Sequence, residues 1–380
     1  PKGGRGMSND DVTNAPAPRS PDPVAEQSTS LGATDHISRA RDANRNAAMD
    51  VGDAQGPLLQ RLKGMQSIWI LGVLVLITAF FAIKAPSQFM TGDNMINIGQ
   101  NLAIWAVLAV GMTFIIITSG IDLSIASVLV FSSVVSALTM EKMGGSGWST
   151  AAVGTAVALV AGLLWGMLNG IVVAKAKVPP LIVTLGTMSI ALGFAQIITG
   201  GLDIRSVPTE LQDAVGYGRI AGIPVIVIIA LIVVVLGGIL LHRTRFGLYT
   251  YAIGSNEVSA RRVGINVDRK LIMIYALAGF LGGLAGIMTL AQFGTTSIAG
   301  NSLTSLNVIA AVVIGGTSVF GGQGSMFGTM VGLFIPAVLQ NGFVIIGVSP
   351  YWQTVAVGAI LIAAVYVDQQ RRAAALRGGK

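Results

Sequence analysis

The chain of 380 residues has no cysteine, only two histidines and few charged side chains, which make up 11% of the sequence. The absence of cysteine excludes disulfide bonds, cysteine-ligated zinc and thiol chemistry. The sequence also has no GxxxxGK[ST], HExxH or GxSxG motif, so the signatures of a nucleotide-hydrolysing site, a zinc protease and a serine hydrolase are missing. We therefore expect no catalytic residue, no metal site and no bound cofactor, and predict that the protein is not an enzyme.

Long apolar runs dominate the sequence instead, from about residue 68 to residue 367. Each is about 17–25 residues long, which matches the hydrocarbon core of a bilayer when the run is helical. The runs lack the alternating pattern of transmembrane barrel strands. The sequence predicts an all-α polytopic membrane protein with about ten transmembrane helices, of which the eighth and ninth could be broken or re-entrant. The predicted spans are 67–83, 95–118, 123–140, 150–174, 181–199, 222–241, 271–293, 303–320, 325–346 and 352–367.

The positive charge is distributed unevenly between the two sides of these spans. Taking the connections alternately, one side carries 20 of the 24 lysine and arginine residues. Because cytoplasmic loops are enriched in lysine and arginine, we expect that side, with both termini, to be cytoplasmic. The high isoelectric point then reflects membrane topology, and we predict no nucleic-acid partner.

Composition divides the chain into three parts. Residues 1–60 are rich in Pro, Ala, Asn, Asp and Ser and show no apolar periodicity, which predicts a disordered cytoplasmic tail. Residues 61–368 form the predicted transmembrane domain, in contact with the lipid bilayer. Residues 369–380 form a short basic tail.

Asp122 is the one carboxylate near the middle of the apolar region and is followed closely by Ser124. An ionisable residue within the membrane is costly and suggests a functional site. The sequence Asp-Leu-Ser before an apolar run fits an N-terminal helix cap equally well. Both interpretations stay open, with Asp122 and Ser124 as candidates for the translocation pathway.

A second group of polar residues lies on one face of the second predicted span. Spacings of three, four and eight residues place these side chains together on a helix. Amides could hydrogen-bond the hydroxyl groups of a sugar and an indole could stack on its ring, but amides also join neighbouring helices. The candidates are Asn97, Gln100, Asn101 and Trp105.

The connection at about 243–270 is too long for a simple turn and too short for a domain. Its small residues leave room for close docking, and Glu257 and Arg261 could make polar contacts. Either the segment docks on a partner that supplies ATP hydrolysis, or it is an ordinary basic loop.

Glycines form two patterns. In the seventh span they recur at helical spacing, which permits close helix approach. After Ile314 they are too dense for a stable helix, which predicts a tight turn between the eighth and ninth spans. The residues concerned are Gly279, Gly283 and Gly286 in the span, with Gly282 beside them, and Gly315, Gly316, Gly321 and Gly322 in the turn.

Four segments carry a resemblance to a known family. They are GMTFIIITSGIDLSIAS, NGIVVAKAKVPPLIVTLGTM, AIGSNEVSARRVGINVDRK and AAVVIGGTSVFGGQGSMFGTMVG. In this order they resemble permease subunits of bacterial ABC sugar importers, in the ribose/xylose/arabinose/galactoside branch. The resemblance implies a subunit of the bacterial inner membrane that carries a small sugar by alternating access.

The same resemblance implies several partners. These are a second permease copy or paralogue, a cytoplasmic ABC ATPase that holds ATP and magnesium, and an extracytoplasmic sugar-binding protein. The segment implied to dock on the ATPase contains Gly254, Ser255, Asn256, Glu257, Ala260, Arg261 and Gly264. The alternative function is an ion-coupled secondary transporter of a small polar solute.

Overall fold

A computed structural model describes residues 66–299, 303–349 and most of 351–370, apart from 353, 357, 360, 361, 364, 367 and 368. These residues belong to one compact unit, Met65–Lys380. The predictions for residues 1–60 and for the basic segment 371–380 lie outside the described residues.

The described part is almost entirely helical. The helices before the single hairpin are α1 Gln66–Lys84, α2 Pro86–Phe89, α3 Gly92–Ile117, α4 Ile125–Lys142, α5 Trp148–Lys175, α6 Pro180–Thr199 and α7 Thr209–Leu211. A π-helical turn, Gln212–Gly216, leads to strands β1 Arg219–Ile220 and β2 Ile223–Pro224, which pair antiparallel. The later helices are α8 Val225–Arg243, α9 Arg245–Ser255, α10 Glu257–Arg262, α11 Val267–Phe293, α12 Thr304–Ile314 and α13 Met326–Ile345.

Seven of the described helices, α3, α4, α5, α6, α8, α11 and α13, are long and apolar enough to cross a membrane. The apolar part of α1, Ile70–Lys84, is shorter. The tenth predicted span, 352–367, falls partly on residues outside the described set, and its described positions are helical. The all-α polytopic fold expected from the apolar runs is therefore confirmed.

The eighth predicted span, 303–320, is much shorter than a full crossing. Helix α12 has 11 residues, which gives a length of about 16 Å against a hydrocarbon core of about 30 Å. It ends because Gly315 and Gly316 follow, and Gly316 has φ +94°, a conformation that cannot continue a right-handed helix. The segment is thus a half-span, as the density of glycine suggested.

Helices α5 and α11 approach each other backbone to backbone. A Cβ on Gly279 would overlap the carbonyl oxygen of Gly162 and lie 2.7 Å from the Cα of Gly166. A Cβ on Gly283 would overlap the carbonyl oxygen of Ala158. On the adjoining face of α11, a Cβ on Gly286 would lie 2.8 Å from the carbonyl oxygen of Leu129 in α4. The glycine stripe therefore lets α11 pack closely against two helices.

Helix α3 is central and α8 is peripheral. Every residue from Ala106 to Ile117 of α3 is buried, and the hydroxyl of Thr113 lies 2.9 Å from that of Thr329 in α13. Helix α8 leaves large apolar side chains exposed, such as Leu231 at 61%. Helix α8 therefore lies at the periphery of the bundle, where its apolar side chains fit an apolar environment outside the chain.

The two ends of the bundle differ in the elements they carry. The hairpin end carries β1 and β2, and there the carboxylate of Asp203 accepts hydrogen bonds from the Thr296 hydroxyl (3.1 Å) and the Ile298 amide (3.0 Å). The α9–α10 end carries the two short helices between α8 and α11.

Candidate functional site

A cavity of about 660 Å³ opens at the hairpin end of the bundle, between α3, α11, α12 and α13. It is adjacent to the loop before the hairpin, because the side-chain amide of Gln100, which lines it, donates to the carbonyl of Gly216 at 3.4 Å. The polar side chains of its wall are Asn97, Gln100, Asn101, Thr289, Gln292, Ser297, Thr304, Asn307, Gln340 and Asn341.

The wall of this cavity is polar but uncharged. Seven of the lining residues are asparagine or glutamine, and no aspartate, glutamate, lysine or arginine is among the described residues that line it. Trp105, Phe293 and several aliphatic side chains complete the wall. Such a surface can exchange hydrogen bonds with a neutral polar molecule and pack against its apolar faces.

The structure brings together the four polar residues that the sequence singled out on α3. Asn97, Gln100, Asn101 and Trp105 all line the cavity. The facing amides of α11, α12 and α13 were missed, because single-helix periodicity cannot show which distant helices meet. The signal that could have found them was the presence of Gln292, Asn307 and the pair Gln340–Asn341 near the ends of otherwise apolar helices.

Two buried oxygen atoms in this wall accept no hydrogen bond from the described protein, Gln292 Oε1 and Asn307 Oδ1. Other polar groups of the wall are already used. Asn341 exchanges two hydrogen bonds with Asn94, at 3.0 and 2.7 Å, and the Thr289 hydroxyl donates to the Ala285 carbonyl at 2.8 Å. Because an unpaired buried acceptor is costly, each of these two oxygens would gain from a donor.

Asp122 and Ser124 lie elsewhere, at the α9–α10 end, and do not line the cavity. The 17 residues of α3 from Asn101 to Ile117 span about 24 Å, which separates the two places. Asp122 Oδ1 accepts hydrogen bonds from the Ser124 amide (2.8 Å) and hydroxyl (2.6 Å), and the Asn169 amide donates to Ser124 Oγ at 2.8 Å. Asp122 thus fixes the turn just before Ser124, which is the N-cap residue of α4, and its place in a translocation pathway stays a prediction.

The segment at the α9–α10 end folds into two short helices with a sharp bend. Asn256 caps α10 by accepting from the Ser259 amide at 2.9 Å. Arg261 donates to Glu257 at 2.9 Å and to Asp268, at the start of α11, at 2.6 Å. Gly264, with φ +85°, turns the chain into α11.

Two small residues of this segment face the protein itself. Ala260 is 3% exposed and packs with Ile253 and Val267. A Cβ on Gly254 would overlap the carbonyl oxygen of Ile117. The small size of both residues therefore serves packing within their own chain, and docking of the segment on another subunit stays a prediction. The outward surface of α10 has Val258 at 60% exposure, and Val263 after it is 77% exposed.

The chain is similar to known transport proteins over most of its length. It is 38% identical to the ribose import permease protein RbsC of Escherichia coli (strain K12) over 311 residues, 81% of this chain and 95% of that protein. It is 36% identical to RbsC of Bacillus subtilis (strain 168) over 321 residues, 83% and 95% of the two chains. The fructose import permease protein FrcC of Rhizobium meliloti is 34% identical over 304 residues, 78% and 83%.

No solved structure matches the chain significantly. The protein family described as branched-chain amino acid transport system / permease component matches residues 94–365. This range includes the cavity and both short helices of the α9–α10 end. The chain therefore belongs to that family of membrane permeases.

Proposed function

We propose that the chain is the transmembrane permease subunit of an ABC importer for a small neutral carbohydrate, a pentose, a hexose or a related polyol. ATP hydrolysis takes place on a separate subunit, and alternating access moves the sugar. The relatives support this proposal, because their names assign them to the import of ribose and fructose.

The observation that carries the proposal is the uncharged, amide-rich wall of the cavity. A sugar offers several hydroxyl groups, each of which can donate to an amide oxygen and accept from an amide nitrogen. Gln292 Oε1 and Asn307 Oδ1 have no partner in the described protein. Trp105 offers an aromatic face of the kind on which sugar rings stack.

A second candidate substrate comes from the family description, which names branched-chain amino acids. An amino acid would bring an ammonium group that needs an anionic or strongly polar partner when it leaves water. No carboxylate is among the described residues that line the cavity. The chemistry of the wall therefore favours the carbohydrate.

An ion-coupled carrier is disfavoured on the same ground. Such carriers bind their coupling ions near the substrate through carboxylates or unwound backbone. Asp122 is far from the cavity and its Oδ1 already accepts two hydrogen bonds. Family membership also favours an ABC permease.

The proposed ATPase contact is the outward surface of α10. Val258 and Val263 expose apolar side chains beside the exposed Ser259 and Arg262, a mixture typical of an interface core with a polar rim. We also propose a second permease copy or paralogue and an extracytoplasmic sugar-binding protein as partners. In this arrangement the hairpin end is extracytoplasmic and the α9–α10 end is cytoplasmic.

This orientation can be tested by cysteine labelling, since the chain contains no cysteine. We expect Leu202→Cys, at a residue that is 74% exposed, to react with an impermeant thiol reagent in intact cells. Ser259→Cys should be protected there and should react in inside-out vesicles prepared without the ATPase. The reverse pattern would invert the proposed topology. Asp203 is less suitable for labelling, because its carboxylate holds the loop at Thr296.

The substrate proposal is tested by removing one of the two unpaired acceptors. We expect Asn307→Leu, a change of similar volume, to lower sugar uptake about three- to tenfold, the effect of losing one hydrogen bond. Gln196→Leu is the matched control, because Gln196 is an exposed amide outside the cavity. Uptake of labelled ribose and fructose, and of allose as a further hexose, would be measured with and without excess leucine. Competition by leucine, or equal uptake by the two variants, would contradict the proposal.

A further inference from the structure

Three segments meet at the α9–α10 end through their backbones. They are the end of α3, the end of α9 and the glycine-rich turn between α12 and α13, and we call their meeting place the backbone junction. In it, the Gly322 amide donates to the Ile117 carbonyl at 2.8 Å. The Ser119 hydroxyl donates to the Phe320 carbonyl at 2.8 Å and lies 3.5 Å from the Gly254 carbonyl oxygen. The Tyr251 hydroxyl donates to the Gly324 carbonyl at 2.8 Å.

The junction has no spare space. A Cβ on Gly254 would overlap the Ile117 carbonyl oxygen and lie 2.6 Å from the Gly322 amide nitrogen. A Cβ on Gly321 would lie 2.9 Å from the Gly254 carbonyl oxygen. Because packed backbones without intervening side chains cannot slide independently, a displacement of α9 must move the other two segments.

Ser119 occupies an unfavourable backbone conformation at the centre of the junction. Its φ is +63°, in the left-handed region that residues other than glycine rarely adopt. Such a residue is retained only where its surroundings fix it. Here the hydroxyl adds a second hydrogen bond between the end of α3 and the turn, beside the one from Gly322 to Ile117, and it also lies next to the Gly254 carbonyl of α9.

The junction leads to the helices of the cavity wall. Helix α3 ends in it, and the turn joins α12 to α13. These are three of the four helices that surround the cavity at the opposite end. The α10 region is also attached by the packing of Ala260 against Ile253 and Val267 and by the pair Arg261–Asp268, whose arginine side chain is 42% exposed. An exposed ion pair contributes little, so the backbone junction is a firmer connection than this pair, and it is the one that reaches α3 and the turn between α12 and α13.

We propose that Ser119 and Gly254 are positioning residues for transport, which transmit the movement of α9 and α10 to the helices of the sugar cavity. The inference rests on the proposed function, because it takes the ATPase to act on α10. It adds the route by which that action reaches α3, α12 and α13.

The test uses Ser119→Gly and Gly254→Ala. Glycine adopts a positive φ readily, so Ser119→Gly removes the hydroxyl without disturbing the fold. Gly254→Ala pushes α9 away from Ile117. The control is Gly193→Ala, because a Cβ on Gly193 meets nothing within 4 Å.

Each variant is reconstituted in proteoliposomes with its ATPase and its sugar-binding protein, and sugar uptake and phosphate release are measured in the same sample. We expect Ser119→Gly to lower the sugar moved per ATP hydrolysed about fivefold, the order of effect of a lost hydrogen bond, while the ATPase still co-purifies with the permease. Gly254→Ala should lower this ratio further, and Gly193→Ala should leave it unchanged.

The possible failures are distinguishable. A wild-type chain that shows no ATP-dependent sugar uptake overturns the proposed function and this inference with it. If the wild type is active and Ser119→Gly moves as much sugar per ATP hydrolysed as the wild type does, only this inference is overturned. That conclusion holds whether or not Gly254→Ala folds.

Discussion

Gly279→Leu is expected to eliminate most of the folded protein. A Cβ at this position would already overlap the Gly162 carbonyl oxygen and lie 2.7 Å from the Cα of Gly166, so leucine would force α5 and α11 apart. Overfilling a packed core lowers the free energy of unfolding by about 1–3 kcal/mol. A leucine side chain inserted between two backbones in direct contact should cost at least the upper value of this range. The measurement is the monodisperse yield after detergent extraction, with the unfolding temperature of what remains.

Gly186→Leu is the matched control for this change. Gly186 also lies inside a predicted span, in α6, and a Cβ there meets no atom within 4 Å. The added leucine should therefore meet open space, and both yield and unfolding temperature should stay close to wild type. A normal yield for Gly279→Leu would show that α5 and α11 are not packed backbone to backbone.

Asp122→Leu should have the second largest effect. The Ser124 amide and hydroxyl now donate to Asp122 Oδ1 at 2.8 and 2.6 Å. Leucine has no acceptor, so both donors would lose their partner. Ser124 is fully buried and Asp122 is 3% exposed, so water cannot readily replace it. Each unpaired buried donor costs about 1–3 kcal/mol, and we expect little folded protein in the membrane, measured by size-exclusion chromatography of a fluorescent fusion.

Asp122→Asn separates capping from a role of the charge. Asparagine keeps an oxygen that can accept from Ser124, so the variant should fold and retain most of its sugar uptake. Full membrane levels with no uptake would assign the carboxylate a charge-dependent role in translocation, the alternative that the sequence left open.

Much of the fold followed from the length of the apolar runs, because a helix is the one structure that lets a single segment satisfy its backbone in lipid. Gly279 and Gly283 were likewise recognisable from their spacing. The half-span α12 was harder to predict, since 303–320 carries no charged residue and is largely apolar, and only the glycines from Gly315 onward mark where the helix ends. Hydropathy measures polarity and not backbone conformation.

The candidate site was predictable on one helix but not across the bundle. The spacing of Asn97, Gln100 and Asn101 defines a polar face of α3, whereas the facing Asn307 is brought there by tertiary packing. The same dependence on tertiary packing explains why the sequence did not show where Ala260 packs. A small residue next to charges resembles a docking surface, but the bend at Gly264 turns it against Val267 of its own chain.

The central claim, that this chain moves a sugar with energy from a partner ATPase, is tested most directly in proteoliposomes that contain the permease, its ATPase and its sugar-binding protein. The account predicts that ribose, fructose or allose accumulates only when ATP is present, and that ionophores that dissipate proton and sodium gradients have no effect. Accumulation driven by an ion gradient without ATP, or ATP-dependent accumulation of leucine and of none of the sugars, would contradict it.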